Sequence, residues 1–251
     1  MNRKFLMGIC ICIAVTNVSG QGKMDTVAVS LLDHMSAVIS ELNSCSVLVK
    51  SNYDVRNQTF GLVKHSDEEQ VYLHGPDRLL VKSSGDKGTR DFYYDGKMFS
   101  YYSSDQNQFA KVQAPSTIME MIDSVHKMYG IEFPVADFFY PAFVDDIIAE
   151  SKNLAYLGMA EVNGKECFHI AGTASDKTFQ FWISNDAFYL PVKVVIVYTG
   201  REMNPQYEAT LSDWKINPDL PNALFDFTAP PRAKKIKMVS FPVKNILPGK
   251  K

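Results

Sequence analysis

The apolar residues of this chain follow two different spacings, and the change from one to the other divides the sequence. Residues 25–42 carry apolar side chains three or four positions apart, as one face of an α-helix does. Asp25 stands at the start of this stretch and is a suitable N-cap residue. The spacing predicts a first helix whose buried stripe consists of Val27, Leu31, Met35, Val38 and Leu42.

From residue 45 to residue 113 the chain changes to short runs rich in β-branched and aromatic residues. Turn signals separate these runs at residues 56–58, 67–69, 75–77, 95–96 and 104–107. Asp95-Gly96 lies between two alternating runs and predicts a type I′ hairpin turn. Since no connection is long enough to hold a helix, the pattern predicts an antiparallel meander.

A helical pattern returns at residues 116–129. Thr117 begins a capping box, and Gly130 is suited to end the helix. Residues 134–141 are bounded by prolines and predict a short apolar helix or turn. Residues 143–151 predict one or two further helical turns.

The last third of the chain again has the strand pattern, with a second hairpin signal at Asn163-Gly164. Pairing outward from this turn aligns Ala160 with Cys167 and puts Cys167 and His169 on one face. The opposite face then carries Leu157, Met159, Phe168 and Ile170. One continuous sheet interrupted by helices fits this pattern better than two domains.

The N-terminus has the three parts of a secretory signal peptide. Arg3 and Lys4 precede an apolar run from Phe5 to Val15, and small and polar residues follow up to Gly20. The run is about half of the roughly 20 residues that span a bilayer, which disfavours the alternative of a membrane anchor. Isoleucines precede Cys10 and Cys12, which disfavours a lipoprotein site. We therefore expect a signal peptide at 1–20 and a single exported domain at 21–251.

Composition narrows the function classes. The chain has 251 residues, 46% of them hydrophobic, which is typical of a globular protein, and its net charge of −2 offers no basic face for nucleic acid. Cleavage after residue 20 changes the net charge to −4 and leaves two cysteines, Cys45 and Cys167. In an exported chain this pair permits one disulfide, and the alternative is two buried free thiols.

The sequence shows no arrangement typical of a catalytic or metal site. The five histidines are scattered and no Cys-x-x-Cys occurs, so we predict no metal site and no cofactor. Cys167 and His169 lie two apart on a strand, a spacing that does not by itself join a nucleophile to a base. There is no nucleophile elbow and no glycine-rich phosphate loop. We therefore expect that the protein has no catalytic residues and is not an enzyme.

The apolar residues of 116–143 admit two interpretations. The first is the ordinary core packing of helices on a sheet. The second is a flexible apolar lid over a cavity, since methionine side chains adapt to varied shapes and carrier pockets are mostly apolar. The side chains concerned include Met119, Met121, Met128, Phe133, Phe138, Phe139, Tyr140 and Phe143.

Several short motifs, in order along the chain, carry a resemblance to a known family. They are Gly75-Pro76-Asp77-Arg78-Leu79, residues 92–97 (FYYDGK), residues 131–137 (IEFPVAD), Tyr156-Leu157-Gly158, Gly164, Cys167, His169, residues 180–183 (QFWI), Leu190-Pro191, Trp214 and residues 225–231 (FDFTAPP). With these motifs the chain resembles bacterial predicted periplasmic proteins of unknown function. That family is related to the outer-membrane lipoprotein carriers and receptors of the LolA/LolB-like fold.

The resemblance implies an α+β fold, in which a curved antiparallel sheet forms an incomplete β-barrel and helices pack in its concave face. It implies a periplasmic protein that binds a lipid or other hydrophobic ligand in the half-barrel, with no catalytic residues to carry over. The alternative is an envelope protein-interaction module with a filled barrel. The residues expected to contact a ligand are Ile118, Met121, Ile122, Val125, Phe138, Phe139, Tyr93, Phe99 and Tyr101.

Overall fold

The first half of the chain forms the predicted antiparallel meander. The computed structural model describes residues 24–133 and 136–240, so the expected signal peptide lies outside the described residues. Each strand of the meander pairs with the next along the chain. The strands are β1 (Ser44–Asn57), β2 (Gly61–His74), β3 (Arg78–Gly85), β4 (Gly88–Tyr94), β5 (Met98–Ser103) and β6 (Gln108–Gln113).

A second run of strands joins the first in the same sheet. The strands of the second run are β7 (Asn153–Val162), β8 (Lys165–Thr173), β9 (Thr178–Ser184), β10 (Pro191–Val197), β11 (Gln206–Ile216) and β12 (Lys234–Lys235). β11 pairs antiparallel with β1, and β12 pairs parallel with β6, giving the order β12-β6-β5-β4-β3-β2-β1-β11-β10-β9-β8-β7.

Helices cover the concave face of this sheet. They are α1 (Thr26–Ser40), α2 (Ile118–Tyr129) and α3 (Phe143–Glu150), with a 3₁₀ helix at Ala136–Phe139 between α2 and α3 and another at Asn222–Leu224. Their apolar side chains share one core with the inward residues of the strands. The predicted α+β fold with a large curved, open sheet is confirmed.

The predicted helix caps are confirmed, but the buried side of α1 is rotated. The Asp25 side chain accepts a hydrogen bond from the Val27 amide at 2.9 Å, and the Thr117 hydroxyl accepts one from the Glu120 amide. Val27 itself is 49% exposed. The consecutive leucines 31 and 32 widen the apolar face, and the residues buried in α1 are Ala28, Leu31, Leu32, Met35 and Ile39.

The hairpin at Asn163-Gly164 forms as predicted, with one correction. Both turn residues have positive φ, as a type I′ turn requires, and Ala160 pairs with Cys167. A β-bulge farther along β7 shifts the register, so that Tyr156 and not Leu157 lies opposite Ile170. Leu157 is therefore 56% exposed and does not share the buried face.

The hairpin at Asp95-Gly96 also forms, although its turn is not type I′. Only Gly96 has positive φ there. The Asp95 carboxylate accepts hydrogen bonds from the amides of Lys97 and Met98, at 3.0 and 2.8 Å. This side-chain bonding stabilises the turn, since aspartate readily bonds to the backbone that follows it.

Both cysteine thiols are free and buried, which is the second of the two alternatives that the sequence left open. Cys45 lies in the core on the concave side. Cys167 lies on the opposite face of β8 from the core residue Ile170, because successive strand residues alternate. Four strand steps separate β1 from β8 in the sheet. A disulfide needs two Cα atoms within about 7 Å, so this fold does not bring the pair together.

Candidate functional site

A narrow cavity lies between strands β2 and β3 and the helices that cover them. We call residues 118–133 and 136–150, which include α2 and α3, the helical insertion. The cavity volume is about 20 Å³, room for about one water molecule. Nine apolar residues and one carboxyl line it: Val71, Leu73, Leu79, Val81, Met119, Ile122, Phe133, Ala136, Phe139 and Glu69.

Strand alternation explains how one carboxyl reaches this apolar cavity. Glu69, Val71 and Leu73 occupy every second position of β2, so all three point to the concave face. In the next strand Leu79 and Val81 lie opposite Leu73 and Val71. The floor of the cavity is therefore sheet, and its cover is the helical insertion.

Glu69 is the buried acid of the concave face. Its side chain is 6% exposed, and its Oε2 atom has no hydrogen-bond partner among the described residues. Burial raises the pKa of Glu69 from 4.5 to about 7, because desolvation disfavours the carboxylate. The neighbouring Asp67 raises it further, while Ser83 and Arg90 act in the opposite direction.

Five other polar residues of the sheet lie around Glu69. The Tyr53 hydroxyl donates a hydrogen bond to Asp67 Oδ2 at 2.9 Å, and Arg90 Nη2 lies 3.9 Å from Asp67 Oδ1. Burial raises the pKa of the Tyr53 and Tyr207 hydroxyls, and the charge of Glu69 adds to the effect at Tyr207. We call this set the polar cluster: Tyr53, Asp67, Glu69, Ser83, Arg90 and Tyr207.

The sequence pattern predicts a turn at residues 67–69 and therefore does not predict the polar cluster. That prediction is wrong, since β2 runs without interruption from Gly61 to His74. The available signal was the alternation of Glu69 with Val71 and Leu73, together with the absence of glycine, proline and asparagine near residue 68. Glu68 points away from the core and forms an exposed ion pair with Lys50.

The residues predicted to contact a ligand fall into three groups. Ile122 and Phe139 line the cavity, while Ile118, Met121 and Val125 are buried in the core beside it. The remaining aromatic residues are placed differently. Phe99 and Tyr101 contact Phe92. Phe138 packs on Phe143 and Phe181. Tyr93 lies on the other face of the sheet, with its ring 5.4 Å from that of Phe227. Direct contact with a ligand stays a prediction for all nine.

Cys167 and His169 do not form a nucleophile–base pair. The Cys167 thiol donates to the Lys165 carbonyl oxygen, and burial raises its pKa. The His169 ring is hydrogen-bonded through Nε2 to Gln180 Oε1 at 2.9 Å and is stacked on Trp182. Within residues 24–133 and 136–240, no group of three or more His, Cys, Asp or Glu is arranged to hold a metal ion. No helix in this part of the chain combines the length and apolarity needed to cross a membrane.

Comparisons with known proteins give a family match and several similar structures. The family model described as "Predicted periplasmic protein (DUF2092)" matches residues 28–239. A search of curated proteins gives no significant match.

Three of the similar solved structures are from different bacteria. Mycobacterium tuberculosis lipoprotein LppX is 17% identical with a TM-score of 0.49, over 78% of this chain and 98% of that one. A chain of the Pseudomonas aeruginosa MucA/MucB complex is 13% identical with a TM-score of 0.46, over 81% of this chain and 62% of that one. A LolA superfamily protein from Nitrosomonas europaea is 10% identical with a TM-score of 0.37, over 80% of this chain and 97% of that one.

Proposed function

Since the chain belongs to the family of predicted periplasmic proteins DUF2092, we propose that it binds a hydrophobic or lipid-like ligand between the sheet and the helical insertion. The cavity carries this proposal. Nine apolar residues and a single carboxyl line it, which suits a ligand with an apolar body and one polar end. The proposed role is binding, and it assigns no catalytic step to any residue.

The size of the cavity sets a condition on binding. A cavity that holds about one water molecule is too small for an alkyl chain. The helical insertion must therefore move away from the sheet when a ligand enters. The strands below are held by continuous ladders of hydrogen bonds. At its two ends the insertion is tied by the Ile118 amide to the Pro76 carbonyl and by the Lys152 amide to the Thr173 carbonyl, at 3.0 and 2.7 Å.

The side chains that cover the cavity suit such a movement. Met119, Phe133 and Phe139 are only partly buried, so displacing them exposes less new apolar surface than moving a core residue does. Methionine fills irregular space because it has three rotatable bonds and no branch. The ligand's apolar surface replaces the contacts that the insertion gives up.

The test is native mass spectrometry and organic extraction of the protein purified from the periplasm of its host bacterium. Met119→Gln puts a polar group into the cavity wall, and Met128→Gln makes the same change on the exposed side of α2. We expect a bound ligand in the wild type and in Met128→Gln. We expect it to be reduced several-fold in Met119→Gln at an unchanged unfolding temperature. Equal ligand content in both variants contradicts the proposal.

The competing function is a protein-interaction module with a filled barrel. The small cavity favours it, as do two exposed apolar residues of the edge strand β7, Leu157 at 56% and Met159 at 46%. Exposed apolar side chains on an open strand edge are typical of protein contacts. A wild-type protein that carries no ligand from the periplasm and takes up none in vitro supports this alternative.

A further inference from the structure

The acid Glu69 lies at one end of the apolar cavity and is only partly compensated by its neighbours Ser83 and Arg90. Its Oε2 atom lacks a hydrogen bond, and so does Oγ of Ser83, which lies directly opposite in the sheet register. Among the described residues no ion pair includes Glu69. Ser83 and Arg90 offset only part of the cost of a buried carboxylate, because burial and Asp67 still raise the pKa of Glu69, so the site is suited to a ligand that supplies positive charge and donors.

The polar cluster holds two acids, Asp67 and Glu69, against the single cation Arg90, and Asp67 Oδ1 and Arg90 Nε also lack hydrogen-bond partners. Arg90 faces Asp67 at 3.9 Å, and His65 Nδ1 lies 3.4 Å from Asp86 Oδ2. Lys87 Nζ lies 4.9 Å above the ring of Tyr53. Asp137 of the 3₁₀ helix adds negative potential at Tyr207. The unmatched charge at this end is therefore negative.

We infer that the polar cluster binds the ammonium group of an amphipathic amine, with Glu69 as its counter-ion and the alkyl part in the apolar cavity. This inference rests on the function proposed above and names the ligand class. An ammonium group supplies N–H donors for Glu69 Oε2, Asp67 Oδ1 and Ser83 Oγ, three acceptors of the polar cluster that lack partners.

Two other ligand types fit these residues less well. An anionic end group meets Asp67 and Glu69, and the nearest guanidinium, that of Arg90, already faces Asp67. An alcohol gives Glu69 a hydrogen bond but no opposite charge, so the cost of ionising the buried carboxyl remains. The single acid among apolar walls therefore selects an amine.

The experiment compares n-decylamine, n-decanol and decanoate as probes of the mature wild-type protein by isothermal titration calorimetry. At pH 8 we expect the amine to bind at least tenfold more tightly than the alcohol, with decanoate weakest. Glu69 ionises around pH 7, so we expect amine affinity to fall by up to about a hundredfold from pH 8 to pH 5. Below pH 7, amine binding should also release a proton, which buffers of different ionisation enthalpy reveal.

Glu69→Gln removes the charge at nearly constant shape and should remove both the amine preference and its pH dependence. Glu68→Gln is the matched control on the outer face of the same strand and should keep both. If the wild type binds decanol as well as decylamine, the amine inference is wrong while the apolar site stands. If it binds none of the three probes, the proposed function fails as well.

Vesicles distinguish the two sources of such an amine. Transfer of phosphatidylethanolamine but not phosphatidylglycerol from vesicles to the protein assigns the site to a lipid headgroup. Binding of decylamine without any lipid transfer assigns it to single-chain amines. Equal transfer of both lipids contradicts recognition of an ammonium group.

Discussion

Replacing Glu69 by glutamine should stabilise the protein in a manner that depends on pH. The pKa of this carboxyl is about 7 in the folded protein and 4.5 without the fold. Between these values the folded chain keeps a proton that the unfolded chain has lost, so the free energy of unfolding falls as the pH rises. The difference in pKa corresponds to a loss of about 3 kcal/mol in the free energy of unfolding. This loss is fully present above pH 7 and absent below pH 4.5. Glutamine cannot ionise and therefore escapes this cost.

Urea unfolding followed by tryptophan fluorescence at pH 5 and pH 8 measures the effect. We expect Glu69→Gln to exceed the wild type by up to about 3 kcal/mol at pH 8 and by much less at pH 5. Glu68→Gln removes an exposed ion pair with Lys50 and should change the free energy of unfolding by about 1 kcal/mol or less at either pH. A Glu69→Gln protein that is no more stable than the wild type at pH 8 refutes the reasoning. So does a gain of the same size at both pH values.

Two further predictions concern packing and the thiols. Gly172→Ala should lower the free energy of unfolding by about 1–3 kcal/mol in urea, because the ring of Phe179 occupies the place of the added methyl group, and an unchanged midpoint contradicts this. In the mature chain Cys45 and Cys167 should react with a thiol reagent only after unfolding, since both are buried and burial raises the pKa of Cys45 to about 12. A change in electrophoretic mobility on reduction would show that the thiols are not free. Rapid labelling of the native protein would show that they are not buried.

Local signals predicted local structure well. Thr117 begins α2 and Gly130 ends it, and Asn163-Gly164 forms the expected type I′ turn, because each depends on bonds between near neighbours. Two predictions failed. The Asp95-Gly96 dipeptide did not predict the local hydrogen bonds from the Lys97 and Met98 amides to the Asp95 carboxylate, and it did not form a type I′ turn. A bulge in β7, which depends on pairing with β8, left Leu157 exposed to solvent.

The candidate site shows the same division. The sequence identified the apolar residues of the helical insertion, and two of them, Ile122 and Phe139, line the cavity. The prediction of a turn at residues 67–69 left Glu69 out, because the run of acids has the composition of a turn although Glu69 alternates with Val71 and Leu73. The continuous strand β2 in the structure decides that Glu69 points inward.

The sequence by itself determined the two runs of strands, the helices and their caps, and the motifs by which the chain resembles its family, which the match over residues 28–239 confirms. These depend on spacing, turn chemistry and bonds between neighbours along the chain. The tertiary structure alone decided that β1 joins β11, which brings Tyr207 to Glu69, and that the two cysteines lie on opposite faces. Residues distant in sequence bury Glu69, so its raised pKa is a property of the fold and not of the local segment.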